Sequence, residues 1–336
     1  IGAQNALSLN MRSIVITVFI LSVHINCQAQ FSGMRYPMQC FQESQGYPAP
    51  IKIITKDRLG FLWMGTTDGI FRFDGQTFRA FKSRLNDKSS IPNNFVNDIK
   101  VDASNRIWVA TNGGLAFFDY SNDYFQQIQL PDTLEKVDKY RVHALYFDLE
   151  SHLWFLTAKG AHQLDKEFHI IQSVYPVLEE FEFLRVVQFM NQNEMLFGTN
   201  NSRIVHLDLC SKEFHEKAVH SQYSRLMHTS TSVGYFSKTN ENQLIIGSWM
   251  GGLNLLYKDT NQYVLRHFDN TFDRDIKANI VTSVGQVNAS CWWVGTFGAG
   301  IHLFNPQKGV FYQKVCYDPL NPYSLSSDYV LSMYRD

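Results

Sequence analysis

The chain is expected to be all-β, a seven-bladed β-propeller of four-stranded antiparallel blades, with six blades complete and the seventh truncated. Three observations lead there. A short phrase recurs six times: Leu62-Trp63-Met64-Gly65-Thr66, Ile107-Trp108-Val109-Ala110-Thr111, Leu153-Trp154-Phe155-Leu156-Thr157, Met195-Leu196-Phe197-Gly198-Thr199, Leu244-Ile245-Ile246-Gly247-Ser248 and Trp292-Trp293-Val294-Gly295-Thr296. Its anchors at 63, 108, 154, 196, 245 and 293 are separated by 45, 46, 42, 49 and 48 residues, the period of propeller blades. Segments such as Phe61-Leu62-Trp63-Met64 and Leu115-Ala116-Phe117-Phe118 are apolar on both faces, so each sheet must be covered on both sides, as radial stacking does. Finally, Tyr329 to Asp336 aligns with Phe95 to Asp102, so a seventh copy has begun.

Taken in chain order, residues 1–10 precede Met11 and read as upstream or non-native. Residues 11–29 read as a signal peptide: Met11-Arg12 is the basic start, Ser13 to Ile25 the apolar run, and Cys27-Gln28-Ala29 the small-residue cleavage site. A lipidated Cys27 is the weaker alternative, because Asn26 suits that signal poorly. The propeller is assigned to 30–336, with repeats near 51–82, 95–130, 142–173, 183–218, 232–268 and 280–315. In the second copy the elements are Phe95 to Val101, Arg106 to Thr111, Leu115 to Asp119 and Tyr124 to Leu130, joined by tight turns. Asp57, Asp102 and Asp148 each precede an anchor Trp by six residues, where a carboxylate can accept hydrogen bonds from the amides of the turn. The partial blade covers 329–336. A strand at 36–42 is the candidate that closes the ring, and the spacing predicts another anchor Trp six residues past Asp336. Loose closure is expected where the missing strands of that blade would lie.

Composition narrows the function. The chain has 336 residues, a net charge of −1, 18% charged and 14% aromatic residues, which gives no electrostatic footprint for nucleic acid or an anionic membrane. Beyond the leader, Cys40, Cys210, Cys291 and Cys316 lack metal-like spacing and are expected to be free and mostly buried. No cofactor and no metal is expected. His162 and His302 occupy equivalent third-strand positions, but three blades of a seven-blade ring place them roughly 20 Å or more apart, so both read as packing or surface residues.

The phrases from Ile53 to Gly75 and from Asp318 to Leu325 closely resemble the two-component regulator propeller repeat. The resemblance covers residues 36 to 336 and weakens in copies four and five, where Leu196 and Ile245 replace Trp. It implies the periplasmic sensor part of a hybrid two-component system, usually two seven-bladed propellers and a β-sandwich ahead of a membrane helix, a histidine kinase and a response regulator. Kinase chemistry is implied only for a longer parent anchored in the inner membrane. It also implies a glycan-derived ligand and control of transcription through the kinase.

No catalytic motif is present: there is no G-x-S-x-G, no phosphate-cradling loop and no H-E-x-x-H. A glycoside-active enzyme would need converging carboxylates, and Asp68 is the only acid in the turns between second and third strands. The acids of the long connections (Asp132, Glu135, Asp138, Glu179, Glu180, Asp273, Asp275) read as solvated charges. The face that gathers those turns carries the ligand candidates Asp68, Asn112, Lys159, Asn200, Trp249 and Phe297. Amide, charged and aromatic groups of this kind suit an oligosaccharide. Taken singly, Trp249 reads first as a packed residue of its blade and second as a sugar platform. The repeat anchors Trp63, Trp108, Trp154, Trp293, Gly65, Gly198, Gly247 and Gly295 read as structural. Partners expected are the oligosaccharide, the remainder of the ectodomain and a second copy; a scaffold that only makes such contacts is the alternative function.

Overall fold

The fold was analysed in a computed structural model. It describes residues 14–18, 28–31, 34–37, 50–131, 141–176, 183–201, 203–211, 214–216, 232–240, 242–259, 262–268, 270, 279–321 and 324–335. Strands β1 (Ile14–Val18), β2 (Gln28–Phe31) and β3 (Met34–Pro37) precede the blades. Six four-stranded antiparallel sheets follow, each a meander: β4–β7 (51–81), β8–β11 (96–127), β12–β15 (144–174), β16–β19 (184–216), β20–β23 (232–268) and β24–β27 (281–315). The last strand is β28 (Val330–Arg335). The six expected blades are therefore present.

The recurrent phrase is the second strand of each blade, and every position in it has a packing task. The anchors Trp63, Trp108, Trp154, Leu196, Ile245 and Trp293 are buried between blades. The closing Thr holds the turn to strand three: the hydroxyls of Thr66, Thr111, Thr157 and Thr296 donate to the carbonyls of Gly69, Gly114, Gly160 and Gly300 at 2.8–3.0 Å. The Gly leaves room for the next blade. A Cβ on Gly65, Gly198, Gly247 or Gly295 would come within 2.6–2.8 Å of a γ-methyl of Val96, Val233, Val281 or Val330, the first-strand residue of the following blade.

The Asp six residues upstream does more than close its turn. Asp57 accepts from the amides of Leu59 and Phe61, and its second oxygen accepts from the Trp63 indole at 2.7 Å. Asp102 and Asp148 bond Trp108 and Trp154 likewise, at 2.9 and 3.1 Å. A buried indole N–H needs an acceptor. Where blade four has Leu196 as anchor, the upstream position is Met190, also buried, so acceptor and donor are replaced together.

Seven first strands form the inner ring. Strands β4, β8, β12, β16, β20 and β24 pack in sequence, and β28 packs against both β24 and β4. Val330 and Met333 join the blade-six cluster around Trp293, while Tyr334 lies against the blade-one cluster of Ile54 and Met64. The ring is thus bridged at the seventh position, where loose closure was expected; beyond β28 and its pairing with β1, the described residues do not build a full seventh blade. β1 runs antiparallel to β28, from Ile14↔Arg335 to Val18↔Val330. These five residues fall inside the segment read as a leader. Apolar and rich in β-branched residues, they satisfy an otherwise open strand edge. Of the closing strand expected at 36–42, Tyr36 and Pro37 belong to β3, which pairs with β2 in a two-stranded sheet; residues 38–42 lie outside the described residues, as do 1–13 and 19–27.

His162 and His302 are both fully buried in third strands, His162 sharing a 2.8 Å hydrogen bond with Ser173, so they are packing residues. The thiols are not mostly buried: Cys210 is exposed and Cys291 and Cys316 are half-buried, Cys210 and Cys316 lying just past the ends of β18 and β27 and Cys291 at the start of β25; Cys40 lies outside the described residues.

Candidate functional site

At or next to the start of each inner strand stands a buried aliphatic residue, Ile51, Val96, Val142, Leu184, Val233, Val281 or Val330; Ile51, Val96, Leu184, Val233 and Val281 pair with the end of their blade's second strand. Immediately after it the ladder skips one residue. The register shifts between Ile51 and Ile53, Val96 and Asp98, Leu184 and Val186, Val233 and Tyr235, and Val281 and Ser283. Opposite β1, Leu331 is skipped in the same way. In blade three the position is held by His143, whose amide donates to Leu156 O at 2.7 Å. Such bulges re-aim a side chain out of the sheet's alternation. The bulged residues, Lys52, Asn97, His143, Arg185, Gly234, Thr282 and Leu331, circle the mouth of the central tunnel on the face of the strand 2–3 turns. Two of them reach the next blade: Asn97 Nδ2 donates to Val142 O at 2.8 Å and Thr282 Oγ1 to Val330 O.

The mouth receives positive charge from blades one, three and four. Burial first, and then the guanidinium groups of Arg185 and Arg141, together pull the Lys52 ammonium down from 10.5 to about 8. Arg185 stands three blades round the ring, so this influence runs across the tunnel. Arg185 keeps solvent access through the mouth, yet it too is held below its ordinary value, first by desolvation and then by Arg141. Lys52 Nζ sits 4.0 Å above the Phe95 ring, Arg141 Nε donates to Asn112 Oδ1 at 3.2 Å, and Arg185 lies 5.9 Å from the Phe183 ring. Among the described residues none of the three cations has a carboxylate partner. The acids nearby are already paired: Asp98 with Lys100 at 3.2 Å and Asp68 with Lys82 at 2.6 Å.

A desolvated ammonium between two guanidinium groups opposes folding. Because the folded value lies below the unfolded one, the unfolded chain binds more protons between pH 8 and 10.5, and stability rises with pH across that window. Lys52→Met is therefore expected to be more stable than the parent at pH 7 and to lack that rise. Denaturation midpoints of both proteins at pH 7 and at pH 10 check this; a less stable Lys52→Met at pH 7 would contradict the electrostatic reading.

The opposite sector of the same face is aromatic. Trp249 is 44% exposed, its ring centroid 5.2 Å from that of Phe297, and Phe297 meets Tyr329 edge-on at 4.9 Å. Phe297 and Tyr329 are also joined by a β-bridge, and Tyr329 is itself 43% exposed. Trp249 is thus a surface residue, not the packed one its neighbours in sequence suggest. Asn112 lies at the tunnel mouth, accepting from Asn97 and Arg141. Asn200 is tied to its own blade by the amide of Phe183 at 2.7 Å. Asp68 and Lys159 are exposed and belong to different blades, with Asp68 held by Lys82. Of the six candidates, Phe297 and Trp249 come together, and Asn112 stands with the cations at the tunnel mouth. Sequence reading missed Lys52, Arg141, Arg185 and Tyr329. The signal was available: a cation directly beside the buried aliphatic that opens an inner strand.

A cleft of about 390 Å³ opens on the opposite face between blades five and six, lined by Gln243, Gln286, Asn288, Trp292, Gln307 and Arg335. Its one charged group, Arg335, donates to Gln286 O at 2.5 Å. Among the described residues there is no group of three His, Cys, Asp or Glu that could hold a metal, and no helix long and apolar enough to cross a membrane. The acids of the connections at 132–138, 179–180 and 273–275 lie outside the described residues.

Residues 90–113, the turn into blade two and its first two strands, match the family described as Two component regulator propeller. The chain carries a two component regulator propeller repeat. A stretch of 82 residues is 30% identical to histidine kinase P4 of Formosa agariphila, covering 24% of this chain and 6% of that protein. The fold is similar to the extracellular domain of a hybrid two component system from B. thetaiotaomicron, with a TM-score of 0.70 at 21% identity, covering 89% of this chain and 39% of the other. The extracellular domain of a one component system from the same organism gives 0.63 at 17%, covering 82% and 39%. Virginiamycin B lyase from Staphylococcus aureus gives 0.60 at 11%, covering 79% and 84%, so the propeller itself does not separate sensing from catalysis. The chain spans well under half the length of the two-component relatives it matches.

Proposed function

We propose that this propeller repeat protein is a non-enzymatic sensor module, exported to the periplasm, whose turn face recognises a glycan-derived oligosaccharide and passes the event to a histidine kinase that controls transcription. The observation that carries the reading is the aromatic shelf of Trp249, Phe297 and Tyr329, half open to solvent beside a ring of amide and cationic side chains. Sugar rings stack on such surfaces while amides and cations take their hydroxyl and acidic groups. The matched repeat and the two-component relatives support the signalling part.

Isothermal titration of the chain against a panel of oligosaccharides tests the reading. A member that binds should lose about tenfold or more in affinity on Trp249→Ala or Phe297→Ala, the scale of one lost stacking contact. Silence across the panel would remove direct sensing by this propeller. A scaffold reading has its own support in Leu85 and Leu320, which stand 94% and 91% exposed on two inter-blade connections. Exposed leucines of that kind suit contacts with a second copy or with the rest of an ectodomain. It predicts that Trp249→Ala leaves signalling intact.

A further inference from the structure

The cations at the tunnel mouth occupy no buried core position of the ring. Arg141 precedes the buried Val142 and Arg185 follows the buried Leu184, and Lys52 takes the bulge of blade one, so each could be replaced without disturbing a packed position. They are gathered from three blades onto one opening, where Coulomb repulsion opposes their meeting. Among the described residues the nearby acids are committed elsewhere, Asp98 to Lys100 and to the amide of Leu145, Asp68 to Lys82. Asn97 and Asn112, hydrogen-bonded to one another at 2.9 Å, line the same rim, and Asn112 Oδ1 also accepts from Arg141. Positive charge concentrated in a concavity with low-dielectric walls attracts an anion and focuses its approach.

We propose that Lys52, Arg141 and Arg185 form an anion subsite at the tunnel mouth, which receives a carboxylate or sulfate group of an acidic oligosaccharide lying on the turn face. This rests on the reading that the face takes a saccharide, and it adds the chemical class. Guanidinium groups suit either oxyanion through paired N–H donors, and the ammonium adds a point charge that gains from desolvation only when an anion is beside it. The lowered ammonium of Lys52 is the expected state of such a site when empty: an anion arriving between the three cations would restore its ordinary basicity. The aromatic shelf begins at Tyr329, which occupies in the seventh repeat the place that Arg141 holds in the third, so shelf and subsite share one level of the ring.

The test compares matched-length neutral, uronate-bearing and sulfated oligosaccharides by isothermal titration with the full chain, alongside sodium sulfate alone. Binding of an acidic class at least about tenfold tighter than its neutral counterpart is expected, with affinity falling as salt is raised. Lys52→Met and Arg185→Met should each reduce acidic-glycan affinity about tenfold and collapse the preference over neutral sugar, while their melting temperatures stay at or above that of the parent. Equal affinity for neutral and acidic sugars, or unchanged acidic affinity in both variants, overturns the subsite and leaves glycan sensing standing. Sodium sulfate binding as tightly as the sulfated oligosaccharide reduces it to a counter-ion position and overturns it as well. Silence toward every sugar overturns both.

Discussion

Asp57→Ala is expected to lower stability by roughly 3 kcal/mol or more, the cost of leaving several buried donors without an acceptor. The carboxylate is 5% exposed and serves four groups: the amides of Leu59 and Phe61, the indole of Trp63 and the hydroxyl of Tyr120. Tyr120 follows the third strand of blade two, so one side chain closes a turn, satisfies its blade's anchor and ties two blades. Burial and then the Asp57 carboxylate hold the Tyr120 phenol well above its ordinary value, as expected for a hydroxyl that donates to an anion. Asp57→Asn keeps the shape and the turn acceptor but faces the indole with an amide donor, so its loss should be intermediate. Asp148→Ala should cost less than Asp57→Ala, because Asp148 is more exposed and its indole bond is longer, at 3.1 Å. Denaturant unfolding followed by tryptophan fluorescence ranks the three. A loss under about 1 kcal/mol for Asp57→Ala, the value of a single ordinary hydrogen bond, would sink the network reading.

Gly198→Val should be damaging for a different reason. A Cβ there would stand 2.6 Å from Val233 Cγ1 and 2.9 Å from Val186 Cγ2. Both neighbours are β-branched and held in strands, so neither can swing away. Overpacking of this kind costs typically about 1–3 kcal/mol, and the two added methyl groups place the variant at the upper end. The strain falls between blades four and five, so Val233→Ala should restore much of the loss when combined with it. A double-mutant cycle measures the coupling. Additive losses would show that the glycine is needed for its own backbone and not for its neighbour.

These two sites also show which parts of the molecule were legible beforehand. The blade was readable because its second strand repeats a buried indole, a contact glycine and a turn-closing threonine. The Asp–indole bond was half readable: the turn signal at Asp57 was plain, whereas the second oxygen's partner depends on the rotamer of Trp63 inside the blade. Blades four and five remained recognisable with Leu196 and Ile245, because period and turn chemistry persisted when the indole did not. The ligand face was harder. Strand alternation assigns each residue to one of two neighbours, and the bulges at Lys52, Asn97 and Arg185 break that alternation at the positions that matter. Hence Asn112 was found through its turn, while the cations that share its opening were not. Trp249 was misjudged because its apolarity argues for burial, and only its exposure in the folded chain shows that it faces water.

The bulges have one more consequence. Because each inner strand spends a single residue outside its own ladder, the seven letters Lys, Asn, His, Arg, Gly, Thr and Leu can be read round the opening as a circular inscription, independent of the masonry beneath. A change of letter alters what the opening says about charge, size and hydrogen bonding while the walls keep their valines, glycines and tryptophans. Proteins built on this plan could differ widely in what they sense and still share every brick.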